Sequence, residues 1–190
     1  PVGSFGEGQP SAPNACGGQT TVVYTVTDKC YELTRHTATF TITPAPAVVA
    51  NGPENSTSSA CSYADQDAVN AAFNAWLQGF TVSGGCSPVG SYGQPVAPAA
   101  CGGQTTVTYN VSDKCYAGTT ITRTFTITPA PAVVVTQAQD STSSACSYAD
   151  QAAADAAFNA WLAGFTVSGG CLPVGSFGEG QPSAPNACGG

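Results

Sequence analysis

The chain has 190 residues, only 8% of them charged, and a formal net charge of −7 with four lysines and arginines together. Charged residues normally make up about a quarter of a globular protein, so solubility rests on Thr, Ser, Asn and Gln, and so few cations exclude a nucleic-acid footprint. No apolar run approaches the roughly 20 residues that span a bilayer, while nine cysteines with one histidine and no CxxC pair point to disulfides in an oxidising compartment.

Zinc is the competing reading of the cysteines, but zinc sites bring close Cys/His pairs. Here the first spacings are 14, 31, 25 and 15 residues. The chain opens at Pro1, and residues 1–18 are identical to residues 173–190. A mature fragment or an internal window of a longer periodic protein is therefore expected.

In chain order, the first long element is Cys16-Gly17-Gly18-Gln19-Thr20-Thr21-Val22-Val23-Tyr24-Thr25-Val26-Thr27-Asp28-Lys29-Cys30. Its alternation of Val, Tyr and Thr predicts a strand with one buried face. It returns at Cys101–Cys115 and begins again at Cys188. The paired prolines of Thr43-Pro44-Ala45-Pro46-Ala47, repeated at Thr128-Pro129-Ala130-Pro131-Ala132, mark stiff linkers. Cutting there predicts the C-terminal part of one repeat (1–44), a complete repeat (45–129) and the N-terminal part of the next (130–190).

Within 45–129 the expected elements are a short strand at Ala47–Ala50, a polar loop through Ser59 and a helix over Tyr63–Gln78. Val69, Phe73, Trp76, Leu77 and Phe80 form the helix's apolar stripe. Asp65 is the expected N-cap, and Gly79 is placed to end the helix. A strand at Phe80–Ser83, a Pro/Gly-rich loop over 87–100, the long strand Gln104–Asp113 and a last strand Ile121–Thr128, with Phe125 and Ile127 inward, complete the unit. The fold class is mainly β: tandem Ig-like β-sandwich repeats of about 85 residues, each with one short α-helix and disulfides. The PVGSF/PVGSY starts at Pro1, Pro88 and Pro173 step by 87 and then 85 residues, so a pair of alternating repeats spans 172.

Cys101 and Cys115 cannot bond to each other across a single strand. Fourteen steps at about 3.3 Å span on the order of 45 Å, and a disulfide tolerates about 7 Å between Cα atoms. With Phe80–Cys86 expected antiparallel to the long strand, Cys86 falls near Cys101. The preferred pairs are then Cys86–Cys101 and Cys61–Cys115. The alternative is Cys61–Cys86, which leaves the other cysteines to bridge neighbouring domains or chains. Cys16 and Cys30 in the first repeat, and Cys146, Cys171 and Cys188 in the third, are counterparts of these four, and the partner of Cys188 is expected outside the window.

Other residues carry weaker signals. Trp76 and Trp161 could stack on glycans, but their place on the stripe favours core packing. Asp65 and Asp67 are the candidates for calcium; Asp67 is replaced by Ala152 in the next repeat, so capping is the better reading of Asp65. His36 is matched by Ile121, so neither a general base nor a metal ligand recurs between repeats. No catalytic residues and no cofactor are expected. Lys29 and Lys114 sit where an isopeptide bond to Asn is conceivable, but a Lys beside a strand end is ordinarily a solvated charge. The threonines of Thr37–Thr43 and Thr124–Thr128 suit the outer face of a strand better than an ice-binding plane. Asn55 and Asn110 lie in N-glycosylation sequons, the latter inside a strand.

The ordered run ACSYADQDAVNAAFNAWL, FTVSGGC, ACGGQTTVTYNVSDKC and TRTFTITPAPAV resembles the HYR-like, Ig-like repeats of giant Bacteroidota surface proteins, over essentially the whole chain. The resemblance implies a long secreted adhesin or filament at the bacterial cell surface, exported by the type IX system, of which grappling-hook type filaments are the nearest kind. It also implies that Asp140-Ser141-Thr142 is an O-glycosylation motif with Ser141 as acceptor. The function expected is structural: shaft modules that self-associate into a multi-chain filament. The alternatives are a module binding cell-surface glycans on prey or host cells, and an accessory domain of a secreted enzyme.

Overall fold

The computed structural model describes residues 1–6 and 8–188, which leaves Gly189 and Gly190 of the third CGG run outside the described residues. Among the described residues the chain is mainly β, with two α-helices and two disulfides. Residues 1–44 carry β1 (Val2–Phe5), β2 (Gly18–Thr27) and β3 (Thr34–Ile42), an antiparallel sheet in the order β1-β2-β3. Residues 45–129 carry β4 (Val49–Asn51), β5 (Ser56–Ser59), α1 (Gln66–Leu77), β6 (Thr81–Ser83), β7 (Val89–Ser91), β8 (Gly103–Ser112) and β9 (Thr119–Thr128). They form a four-stranded sheet β5-β9-β8-β7 and a two-stranded pair β4-β6. The third repeat adds β10 (Val134–Thr136), α2 (Gln151–Leu162) and β11 (Thr166–Ser168), with β10 paired to β11 as β4 is to β6.

Alternation dictates the inner face of β8: Val107, Tyr109 and Val111 are buried while Thr106, Thr108 and Asn110 face out. Phe125 and Ile127 do the same on β9, as their spacing predicts. The helical stripe buries Val69, Phe73 and Leu77, with Phe80 just beyond the helix. Trp76 stacks on Phe73 and meets Phe80 and Phe125 edge-on, and its indole N–H donates to the Glu54 carbonyl at 2.8 Å. Trp161 makes the matching bond to the Gln139 carbonyl at 2.6 Å. Both tryptophans are half-buried against aromatic neighbours, with the one polar atom of each hydrogen-bonded.

The helix starts at Gln66 rather than Tyr63, because a 3-10 turn over Ala60–Ser62 precedes it. Asp65 accepts the Ala68 N–H at 2.9 Å and Asp150 the Ala153 N–H at 2.9 Å, so both aspartates are N-caps. Asp65→Ala should cost about 1 kcal/mol; a thermal midpoint equal to that of the parent chain would refute the cap. Gly79 is needed for a different reason than helix termination in a left-handed turn: a Cβ there would sit 2.8 Å from Pro53. Two strands occupy stretches expected as loops. β5 reads STSS, with no apolar alternation to announce it, and β7 lies inside the Pro/Gly-rich segment.

Packing divides the chain differently from its repeats. One compact unit comprises Pro1–Ser56, Asn70–Ala97 and Thr105–Phe125; the other comprises Thr57–Val69, Pro98–Gln104 and Thr126–Gly190. Each unit contains one proline linker and one disulfide.

Candidate functional site at the cysteine junctions

The linkers are held at both ends by glycines. In the first unit, a Cβ on Gly17 would lie 2.6 Å from the Pro44 ring, and one on Gly84 only 2.0 Å from the Ala47 carbonyl oxygen. The Gly85 N–H donates to the Pro46 carbonyl at 2.8 Å, and the Tyr116 hydroxyl donates to that of Ala45. The second unit repeats the arrangement: Gly102 against Pro129, Gly169 against Ala132, and the Gly170 N–H on the Pro131 carbonyl at 2.8 Å. Only glycine permits such close backbone approach, so the PAPA segment is a seated strut rather than a tether.

The disulfides lie beside these seats. Cys16 bonds Cys115 and Cys61 bonds Cys171, with Cα–Cα distances of 5.1 and 5.0 Å. Both bonds join one sequence repeat to the next. The expected pairs Cys86–Cys101 and Cys61–Cys115, and the alternative Cys61–Cys86, do not form: Cys61 and Cys115 have other partners, and Cys30, Cys86, Cys101, Cys146 and Cys188 are unpaired. Strand register explains the error. It is β7, not Phe80–Cys86, that pairs with β8, and it places Val89 opposite Ser112, at the far end of β8 from Cys101. Cys86, three residues before Val89, therefore arrives beside Asp113.

Asp113 organises that end. Its Oδ1 accepts the N–H groups of Cys115 (2.9 Å) and Tyr116 (3.1 Å), and its Oδ2 accepts that of Cys86 at 2.7 Å. Gln66, at the start of α1, ties another cysteine-bearing loop: its Oε1 accepts the Ala100 N–H at 2.8 Å and its Nε2 donates to the Pro98 carbonyl at 3.1 Å. The 3-10 turn carrying Cys61 is thereby tied to the loop carrying Cys101. Gln151 makes the same two bonds to Pro185 and Ala187, next to Cys188.

Asp28 is the first-repeat counterpart of Asp113. The Cys30 N–H, donating to Asp28 Oδ1 at 2.9 Å, holds its carboxyl below the ordinary carboxylate range. A carboxyl lowered on folding contributes at neutral pH and loses that contribution as acid takes it through its folded pKa. Titration of Asp28 by carboxyl NMR shift should give a midpoint under 3.8; a midpoint at or above it would remove the Cys30 hydrogen bond from the account.

The remaining candidates are placed individually. Asn55 is exposed, and its Oδ1 accepts the Thr124 N–H at 2.9 Å, so this sequon residue also holds the edge of β9. Asn110 on β8 accepts the Thr120 hydroxyl at 3.1 Å. Ser141 is exposed, and its counterpart Ser56 opens β5. His36 sits exposed on β3 opposite Tyr24, and Lys29 and Lys114 are exposed. Among the described residues no cluster of His, Cys, Asp or Glu could hold a metal ion, and no helix is long and apolar enough to cross a membrane.

A cavity of about 1180 Å³ in the third repeat is lined by Phe158, Trp161, Leu162, Phe165 and Phe177 among others. In 45–129 the counterparts Phe73, Trp76 and Phe80 pack on Phe125 and Tyr109 of β9 and β8. The cavity is therefore lined by the counterparts of residues that pack on β8 and β9 in 45–129. No family model matches the chain, and neither the curated proteins nor the solved structures contain a match to it.

Proposed function

We propose that the chain is a segment of the shaft of a long extracellular filament or adhesin at a bacterial surface, built from tandem Ig-like repeats and without catalytic activity. One observation carries the reading: both disulfides join consecutive repeats instead of closing a loop inside one. A binding or catalytic module gains nothing from being bonded to its neighbour. In a shaft, such a bond puts the load on covalent structure that a non-covalent domain interface would otherwise carry. The seated PAPA linkers serve the same end by removing a hinge. Near-identical repeats also present the same surface many times, which suits lateral association of several chains into a rod.

Single-molecule stretching tests the mechanical role. In the oxidised chain the shortest covalent path between the ends runs along the backbone from Cys16 to Cys61 and across the bond to Cys171, so residues 62–170 are shielded from force. The second bond closes a separation of 110 residues, so reduction should release on the order of 360–400 Å of extra contour length, at roughly 3.3–3.6 Å per residue. Equal contour lengths before and after reduction would sink the proposal. Negative-stain images of chains with increasing repeat number should in parallel show filaments that lengthen in proportion.

A further inference from the structure

The two disulfides define two kinds of bond, and every unpaired cysteine belongs to one of them. Each complete repeat has four cysteine positions, occupied in 45–129 by Cys61, Cys86, Cys101 and Cys115. Cys16 is the first repeat's counterpart of Cys101, so Cys16–Cys115 joins a third-position cysteine to the fourth position of the following repeat. Cys171 is the third repeat's counterpart of Cys86, so Cys61–Cys171 joins a first position to the second position of the following repeat. By these two rules Cys30 and Cys86 need a preceding repeat's third and first positions. Cys101, Cys146 and Cys188 need a following repeat's fourth, second and fourth positions. All five of these partner positions fall outside residues 1–190, and these five cysteines are the unpaired ones.

The unpaired cysteines are already held as their bonded counterparts are. Cys30 lies in the same aspartate turn as bonded Cys115, with the backbone N–H on Oδ1 at 2.9 Å in both. Cys146 donates to Ser144 Oγ at 3.3 Å as bonded Cys61 does to Ser59 Oγ at 3.2 Å. Cys188 donates to Asn186 Oδ1 at 2.9 Å as bonded Cys16 does to Asn14 Oδ1 at 2.8 Å. Cys101 precedes glycines at φ 130° and 155°, as Cys16 precedes glycines at 134° and 140°. The clearest case is Cys86. It is flanked by Gly84, Gly85 and Ser87 at φ 73°, 69° and 70°, and bonded Cys171 by Gly169, Gly170 and Leu172 at 76°, 57° and 61°. A serine and a leucine in left-handed backbone are costly, and the same cost is met at the unpaired site as at the bonded one.

We infer that every junction between consecutive repeats carries two disulfides, first position to second and third to fourth, so that the array is one continuous double-stapled ladder. The inference does not depend on the filament reading. Each bond forms by thiol–disulfide exchange with a small-molecule disulfide such as oxidised glutathione. Two cysteine thiols lose two protons and two electrons as the S–S bond forms, and the oxidant leaves as two reduced thiols.

The identity of residues 1–18 with 173–190 makes the test direct. A chain of residues 1–190 followed by a second copy of 19–190 continues the repeat without a seam, and it contains seventeen cysteines. After refolding in a glutathione redox buffer, peptide mapping should find two bond types absent from the single chain. These are Cys101 to the second copy's Cys30, and Cys146 to the second copy's Cys86. Thiol titration under denaturing conditions should count five thiols in the long chain, the same number as in the 190-residue chain. Nine thiols, the count if only the two observed bond types form, would overturn the inference, as would a Cys86–Cys101 peptide. In the long chain, Cys101→Ser should raise the count to six by freeing the second copy's Cys30 and leave the other bonds in the map unchanged. Re-pairing of that thiol with any other cysteine would equally refute it.

Discussion

Replacing Cys16 or Cys61 by serine should lower the guanidinium midpoint of the chain substantially. The bonds close sequence separations of 99 and 110 residues. A cross-link over about 100 residues restricts the unfolded ensemble by about 4.7 kcal/mol in the chain-entropy treatment. That is a large share of the 5–15 kcal/mol typical of a domain, and about 85 residues per repeat make only a thin core. The two loops overlap between residues 61 and 115, so the second bond closes a path already shortened by the first. Each single variant therefore loses only the increment its bond adds to the other, and the double variant should lose more than the sum of the singles. Equilibrium unfolding followed by tryptophan fluorescence checks this, since Trp76 and Trp161 are both packed against aromatic rings. Serine variants that unfold at the parental denaturant concentration would mean that the junction bonds carry no stability.

Phe125→Ala and Phe40→Ala should differ sharply although the two phenylalanines open the same sequence, FTITPAPAVV. Phe125 is 2% exposed and packs edge-on against Phe73 and Trp76, so its truncation should cost about 3–5 kcal/mol. Phe40 is 64% exposed on β3, and its loss from the 190-residue chain should fall within about 0.5 kcal/mol. Comparable costs for the two, by chemical denaturation, would overturn the burial assigned to either. The pair isolates what a neighbouring element contributes when the local sequence is held constant.

The same comparison shows what could be read from sequence and what could not. The inward face of β9 and the helical stripe were legible, because a period of two or of 3.6 is a local property. The caps at Asp65 and Asp150 were legible for the same reason. The disulfides were not. Their pairing depends on which strand lies beside β8, and a three-residue strand at Val89–Ser91 inside a loop-like segment decided it. Identical repeats give no local cue that a cysteine's nearest equal lies in the next one. The glycines of GFTVSGGC and CGGQTT were likewise visible as glycines. Their purpose emerged only when Pro44, Pro46 and Ala47 were found seated against them.

The bonds also change what a cut in the backbone means. Each linker lies inside a cross-linked loop: Thr43–Ala47 between Cys16 and Cys115, and Thr128–Ala132 between Cys61 and Cys171. Because the loops overlap, one protease cut anywhere from residue 16 to residue 171 leaves the two halves attached. A singly nicked chain should run as one band on a non-reducing gel and as two once reduced. Two separate bands without reductant would contradict the connectivity. The connectivity thus converts the severing of the chain from a single event into a double one: hydrolysis of a peptide bond and reduction of a disulfide, chemistries that the same enzyme rarely supplies.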